Sequence, residues 1–201
     1  MPTKKQLDIE SIHAYGLDII NRTIYVMPDE PVMDTNPKVA AELQKNLDIL
    51  NYYGNKPIKV ISANSGGDWF SGFSMYNSIK HSKSPVDYYM TGSACSMGTV
   101  IPQAARTRYI YTNTDFMVHL GESEHSGIPK TVESSVEHFR RYRDVMYSIY
   151  AERCQYGEFF VNKKYKLGEV DAFIREMVDK KTDWWMGAKE ALVYGFVDAI
   201  V

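Results

Sequence analysis

Strand-like and helix-like segments alternate along this chain, and that alternation most constrains its fold. Arg22-Thr23-Ile24-Tyr25-Val26-Met27 is rich in β-branched and aromatic types and reads as a strand. Asn36-Pro37 then opens a helix. An Asn side chain can accept from free first-turn amides, and Pro suits the first helical position because its missing N–H costs nothing there. Val39, Leu43, Leu47 and Leu50 follow at helical spacing, and Gly54 closes the segment. Pro57-Ile58-Lys59-Val60-Ile61-Ser62 is a second strand, a helix is expected over 69–81, and Val86-Asp87-Tyr88-Tyr89-Met90 is a third strand. From Gly92 the chain leads into a helix through Ala105, and Arg108-Tyr109-Ile110-Tyr111 and Phe116-Met117-Val118-His119 are further strands. The pattern implies an α/β fold with mostly parallel pairing.

A helix is expected over 130–153, with Val132, Val136, Phe139, Met146 and Ile149 as its apolar stripe. Typical helices run to roughly 10–14 residues, so one this long is expected to project and dock on another subunit. The remainder reads as a helix over 169–180, then Asp183-Trp184-Trp185, a short helix over 188–194, and a closing Gly195-Phe196-Val197-Asp198-Ala199-Ile200-Val201. Gly187 with Glu190 three residues on resembles half a capping box. The first eighteen residues carry no strong signal and are expected to form a mobile arm. No repeat, linker or low-complexity stretch divides the 201 residues, so one domain over 1–201 is expected.

Bulk properties narrow the function. A net charge of −2 argues against a nucleic-acid partner, because neutralising phosphates needs a basic face. Cys95 and Cys154 make no disulfide framework and lack metal-site spacing, so they read as reduced thiols and no metal is expected. The first residues show no charged-then-apolar leader, and no apolar run is long enough to span a bilayer. A cytoplasmic protein with no membrane partner is the expectation.

Several residues could do chemistry. Ser96 lies between a strand and a helix, with Ala94, Cys95 and Gly98 as small neighbours. A sharp turn there would expose its hydroxyl and set helix-start amides beside a developing oxyanion, although a plain helix cap uses serine in the same place. His119 ends an apolar strand, where an imidazole can meet both solvent and a partner; His125 in the following loop is its rival. Gly66-Gly67 follows a buried strand, and paired glycines let backbone approach a ligand with an amide pointing outward. Local chemistry does not choose among the acids Asp179, Asp183, Asp171 and Asp115.

Taken together, these segments resemble the ClpP family of Clp protease proteolytic subunits. Gly92-Ser93-Ala94-Cys95-Ser96-Met97-Gly98 is similar to that family's G-x-A-A-S-M-G, and Phe116-Met117-Val118-His119 to its M-I-H segment. Asn64-Ser65-Gly66-Gly67 falls where the family has N-S-P-G-G, and Glu190-Ala191-Leu192-Val193-Tyr194-Gly195-Phe196-Val197-Asp198 resembles E-A-x-x-Y-G-L-V-D. The resemblance implies a crotonase-like α/β fold, a stacked sheet with flanking helices and a long protruding helix. It implies a serine endopeptidase acting on peptides or unfolded proteins inside homo-oligomeric rings, with no cofactor, served by a separate AAA+ ATPase unfoldase. It assigns Ser96 as nucleophile, His119 as base and Asp179 as the orienting acid. Gly66, Gly67, Asp68, Met97 and Leu120 are its oxyanion or substrate-binding positions.

The chain departs from the pattern in four places. Ser65 replaces the family proline, which predicts a less rigid oxyanion strand. Asp68 follows the glycine pair, and a carboxylate near an oxyanion would be costly unless turned away. Leu120-Gly121-Glu122 replaces Gln-Pro after His119. Residues 155–168 look like an insertion and the N-terminal gate segment is shortened, which puts the ATPase partner in doubt. Three other readings compete: a non-catalytic ring subunit, a capsid-maturation protease of related sequence, and a crotonase-fold enzyme acting on acyl-CoA thioesters.

Overall fold

The computed structural model describes residues 4–27 and 35–201. In chain order the elements are α1 (Lys4–Tyr15), β1 (Leu17–Asp18), β2 (Thr23–Val26), α2 (Pro37–Tyr52), β3 (Ile58–Asn64), α3 (Trp69–Lys80), β4 (Val86–Cys95) and α4 (Met97–Val100). After a 3-10 turn at Ile101–Ala104 come β5 (Thr107–Ile110), β6 (Asp115–Val118), α5 (Pro129–Cys154), α6 (Glu158–Lys163), α7 (Leu167–Lys181), β7 (Trp184–Met186), α8 (Ala188–Val193) and β8 (Ala199–Ile200).

One sheet has the order β1-β2-β3-β4-β5-β8, with β6 attached to β4 and β7 attached to β6. Pairing is parallel except at β1-β2 and β6-β7, as the alternating pattern implies. The long strand β4 changes neighbours partway. Its first half pairs with β5, from Asp87 opposite Thr107 to Met90 opposite Ile110. Its second half pairs with β6, from Ser93 opposite Asp115 to Cys95 opposite Met117. The switch falls where Ser62 stands opposite Met90 but Asn64 stands opposite Ala94, so β4 carries extra residues there; Gly92, at φ +69°, lies among them.

Helix α2 starts as expected: Asn36 Oδ1 accepts from the amides of Lys38 at 2.9 Å and Val39 at 3.1 Å, with Pro37 at the first position. It buries Leu43, Leu47 and Leu50 in the core beside Ile24, Ile58 and Val60. Each such side chain contributes about 1.5–3 kcal/mol through removal of apolar surface from water.

One expectation is corrected. The first eighteen residues are not an arm throughout: from Lys4 they form α1 and β1, and Met1 to Thr3 lie outside the described residues. Gly16, at φ +60°, turns the chain so that Leu17 pairs antiparallel with Ile24, and Asn46 Nδ2 donates to the Tyr15 carbonyl at 2.8 Å. Helix α1 was hidden because none of its described side chains is buried; Ile9 is half exposed. The apparent insertion at 155–168 contains α6, whose Phe160 is fully buried against the rings of Tyr165, Phe173 and Tyr194.

Helix α5 is 26 residues long, and its buried residues all lie between Met146 and Cys154. Residues 129–145 contain none. That half meets α3 through rings: Phe139 packs edge-on to Trp69, and Tyr142 packs on Phe70 and Phe73.

The C-terminal turn is tied to β5 by a buried cation. Arg108 is 3% exposed and donates to both Asp198 oxygens, to Gln103 Oε1 at 2.6 Å and to the Gly195 carbonyl at 2.9 Å. Burial pushes the Asp198 carboxyl up, but the hydrogen bonds and charge of Arg108 outweigh it and hold the group below its usual range. Its contribution is therefore complete above the ordinary carboxylate pKa and is lost as pH falls through the folded value. Asp198→Ala leaves Arg108 buried without its counter-charge. Urea denaturation at pH 7 is expected to show a loss of about 3 kcal/mol, the lower end for a broken buried pair because Asp198 is a third exposed. The difference between variant and wild type should narrow as pH falls below about 4.

Candidate active site

Three strand ends stop at one edge of the sheet. β4 ends at Cys95 opposite Met117 of β6, so the next residue, Ser96, falls beside the end of β6; its N–H donates to the Met117 carbonyl at 2.9 Å. β6 and β7 run antiparallel, with Phe116 opposite Met186, Met117 opposite Trp185 and Val118 opposite Trp184. One step further along this register, His119 faces Asp183. The side chains meet there, with His119 Nδ1 3.1 Å from Asp183 Oδ1.

The structure pairs His119 with Asp183, and among the described residues no hydrogen bond or ion pair joins His119 to Asp179. Asp179 is exposed in the last turn of α7, and its charge is felt by Tyr147, whose phenol is pushed up to about 12 first by burial and then by Asp179. Helix α7 ends at Lys181, and Thr182 adopts φ +63°, ψ −68°, with the Asp183 N–H donating to the Lys181 carbonyl at 2.8 Å. This is a γ-turn of the rare, strained kind. It carries the chain from helix to strand within one residue and delivers Asp183 to the sheet edge. The missed signal was β7 itself: Trp184 and Met186 are buried and Trp185 is exposed, a strand alternation three residues long.

Ser96 also sits on a strained backbone, at φ +53°, ψ −126°, and its side chain makes no capping hydrogen bond to α4. The plain-cap reading therefore does not hold. Such conformations cost about 1–3 kcal/mol and persist only where surroundings over-determine them. Here the surroundings are glycine. A Cβ on Gly66 would lie 2.5 Å from Ser96 Cβ, and one on Gly98 would lie 2.2 Å from the Asn64 carbonyl oxygen. The turn is also held from below, since the Ser96 carbonyl accepts from the Thr99 N–H at 2.9 Å and from Thr99 Oγ1 at 2.6 Å.

The glycine pair lies against Thr35. Thr35 N–H donates to the Gly66 carbonyl and Asp68 N–H to the Thr35 carbonyl, each at 2.9 Å, while Gly66 N–H donates to Asn64 Oδ1 at 2.8 Å. Gly67 has φ +142°, and a Cβ there would strike the Thr35 carbonyl oxygen at 2.4 Å. Asp68 does not oppose this arrangement: its Oδ2 accepts from the Ser71 N–H at 2.7 Å and caps α3. Among the described residues, the amides of Gly67 and Met97 have no acceptor. Ser65 Oγ lies 3.3 Å from Ser93 Oγ. Leu120 is half-buried on the core, and Gly121 follows with φ +73° beside the Trp69 ring.

Ser96, His119, Gly66, Gly67 and Met97, all expected from the sequence, lie at this edge; Asp183 was one of four acids that local chemistry left unresolved, and Thr35 was not anticipated. Among the described residues, no hydrogen bond joins Ser96 Oγ to His119. His125 packs edge-on to Phe139, with ring centroids 6.2 Å apart. No group of three or more His, Cys, Asp or Glu among the described residues could hold a metal ion, and no helix there is long and apolar enough to cross a membrane.

Residues 18–201 match the protein family described as Clp protease. The ATP-dependent Clp protease proteolytic subunit of Streptococcus sanguinis is 28% identical over 193 residues, covering 92% of this chain and 89% of that protein. Its counterpart in Deinococcus radiodurans is 25% identical over 138 residues, which span 68% of this chain and 60% of that protein. Among solved structures, a mutant of ClpP1 from Listeria monocytogenes superposes with a TM-score of 0.73 at 25% identity, covering 91% of this chain and 92% of the other. The mixed α/β ClpP-like fold expected from the sequence is the fold observed.

The glycines supply a test of the elbow's packing. Gly98→Ala is expected to destabilise the protein by about 1–3 kcal/mol in urea denaturation, because the facing Asn64 carbonyl is backbone and has no room to yield. Gly168→Ala, in helix α7 with nothing within 4 Å of the new methyl, should instead stabilise by about 0.5 kcal/mol.

Proposed function

The chain belongs to the Clp protease family, and we propose that it is a serine endopeptidase with Ser96 as nucleophile, His119 as general base and Asp183 as the carboxylate that orients the histidine. One observation carries this reading: the His119–Asp183 contact at 3.1 Å stands at the same sheet edge as the strained Ser96 turn. Asp183 on Nδ1 leaves Nε2 as the basic nitrogen, which is the tautomer that proton abstraction from a serine needs.

In this mechanism Ser96 Oγ attacks the scissile carbonyl carbon as His119 Nε2 takes its proton. The tetrahedral oxyanion is held by the amides of Gly67 and Met97. The imidazolium, stabilised by Asp183, then protonates the leaving amine, and the acyl–Ser96 bond is hydrolysed by water with His119 again as base. The substrate lies extended between the segment from Gly66 to Phe70 and the segment from His119 through Leu120, bonding to backbone as an added strand. The gap between Ser96 Oγ and His119 closes on binding, since catalytic hydrogen bonds are often long in unliganded enzymes and tighten to roughly 2.6–3.2 Å with substrate.

Peptides or unfolded proteins would be cut within a ring-shaped homo-oligomer, fed by an ATPase partner. The unburied first half of α5 supports assembly, and the relatives' description as ATP-dependent proteolytic subunits supports the partner. A second reading, an inactive ring subunit, is favoured by the missing Ser96–His119 hydrogen bond.

A fluorophosphonate probe separates the two. The active-enzyme reading expects labelling that disappears in Ser96→Ala; no labelling of the assembled wild type supports the inactive subunit. Asp183→Asn should lower kcat by about 10⁴-fold with a fluorogenic peptide, the effect of a wrong histidine tautomer. Asp179→Asn should stay within about twofold, and the reverse ranking would restore Asp179. Light scattering at micromolar concentration should report a multi-subunit particle, and a monomer would contradict the chamber.

A further inference from the structure

Asn64 ends β3 and is 2% exposed, yet it uses only half of its amide. Its Oδ1 accepts twice, from the Gly66 N–H at 2.8 Å and from Thr35 Oγ1 at 3.1 Å. Among the described residues its buried Nδ2 has no partner. A buried donor without a partner is a standing cost, and an apolar residue of the same size would avoid it. The acceptor is therefore the reason for an amide here.

Two donors fix that acceptor's surroundings. Thr35, with no exposed surface, brackets the glycine pair on both sides through its own N–H and carbonyl, and its hydroxyl reaches Asn64. Around Gly67, the Gly66 N–H, the Gly66 carbonyl and the Asp68 N–H are all bonded inward, and the Asp68 carboxylate is bonded to α3. The Gly67 N–H alone among these groups has no described acceptor. Asn64 also touches the other half of the site. A Cβ on Gly98 would lie 2.2 Å from the Asn64 carbonyl oxygen and 3.0 Å from Oδ1, so the turn that carries the Met97 amide is seated on the same residue.

We infer that Asn64, locked by the Thr35 hydroxyl, is a positioning residue that sets the direction of the Gly67 amide and its spacing from the Met97 amide. It touches no reacting atom and acts through the two backbone donors. The inference rests on the proposed role of those amides in holding the oxyanion. It predicts that the loss on removing Asn64 falls on the transition state and spares ground-state binding.

The test uses the assembled full-length protein. Asn64→Leu removes the acceptor at similar volume; kcat for a fluorogenic peptide should fall about 10²-fold, the scale of one misplaced oxyanion donor, with KM within threefold. Affinity for a peptide boronate should fall by the same factor, while an uncleaved peptide should bind the Ser96→Ala and Ser96→Ala/Asn64→Leu proteins equally. Thr35→Val should give the same split at smaller amplitude and Thr35→Ser should restore wild-type values, which keeps the test open if Asn64→Leu does not fold. Hydrogen exchange over residues 62–70 should quicken in Asn64→Leu and Thr35→Val and remain as wild type in Thr35→Ser. This readout judges the clamp even if fluorophosphonate labelling fails and the peptidase reading is lost. Wild-type kcat and exchange in both Asn64→Leu and Thr35→Val, or equal losses of boronate and ground-state peptide affinity, would overturn the inference.

Discussion

β4 and β6 end, and the antiparallel β7 begins, at one edge of the sheet, and the backbone hydrogen bonds between them determine where Ser96, His119 and Asp183 stand. A one-residue slip in either ladder would send the site residue at the strand's end to the opposite face. The burial of Phe116, Val118, Trp184 and Met186 makes such a slip costly, because it would move these large groups into water. The core of the sheet and the geometry of the candidate site are thus consequences of the same registers.

The strand ends supply proximity, and local strain supplies aim. Among the described residues four non-glycine residues have positive φ, and two of them flank the site: Ser96 and Thr182. Ser96 turns its hydroxyl away from a capping role, and Thr182 turns helix into strand directly before Asp183. Each departure is absorbed nearby, by Gly66 and Gly98 under Ser96 and by the α7 carbonyls that accept from Thr182 and Asp183. Ordinary helix and strand geometry would leave the three side chains at the same edge but aimed elsewhere.

Much of this was legible from residue order. The α2 cap, the strands β2, β3 and β6, and the long α5 follow from periodicity and capping chemistry, and Ser96, His119 and the glycine pair follow from their places at element ends. Asp183 was not legible in the same way. Four carboxylates were chemically equivalent along the chain, and only the β6–β7 ladder, built on a strand of three residues, separates Asp183 from Asp179. Thr35 was invisible for a related reason: its partners Asn64, Gly66 and Asp68 lie about thirty residues away, and nothing local marks a bridge to them. Helix α1 showed no clear apolar stripe, and none of its described side chains is buried.

The account stands most directly on a crystal structure of the assembled protein carrying a peptide boronate on Ser96. It predicts a tetrahedral boron with one oxygen about 2.7–3.1 Å from both the Gly67 and Met97 nitrogens. His119 should be turned to the adduct through Nε2 and still hold Asp183 through Nδ1. A bound adduct with His119 turned away from it, or with its Nδ1 paired to a carboxylate other than Asp183, would contradict the assignment of these three residues as one catalytic unit.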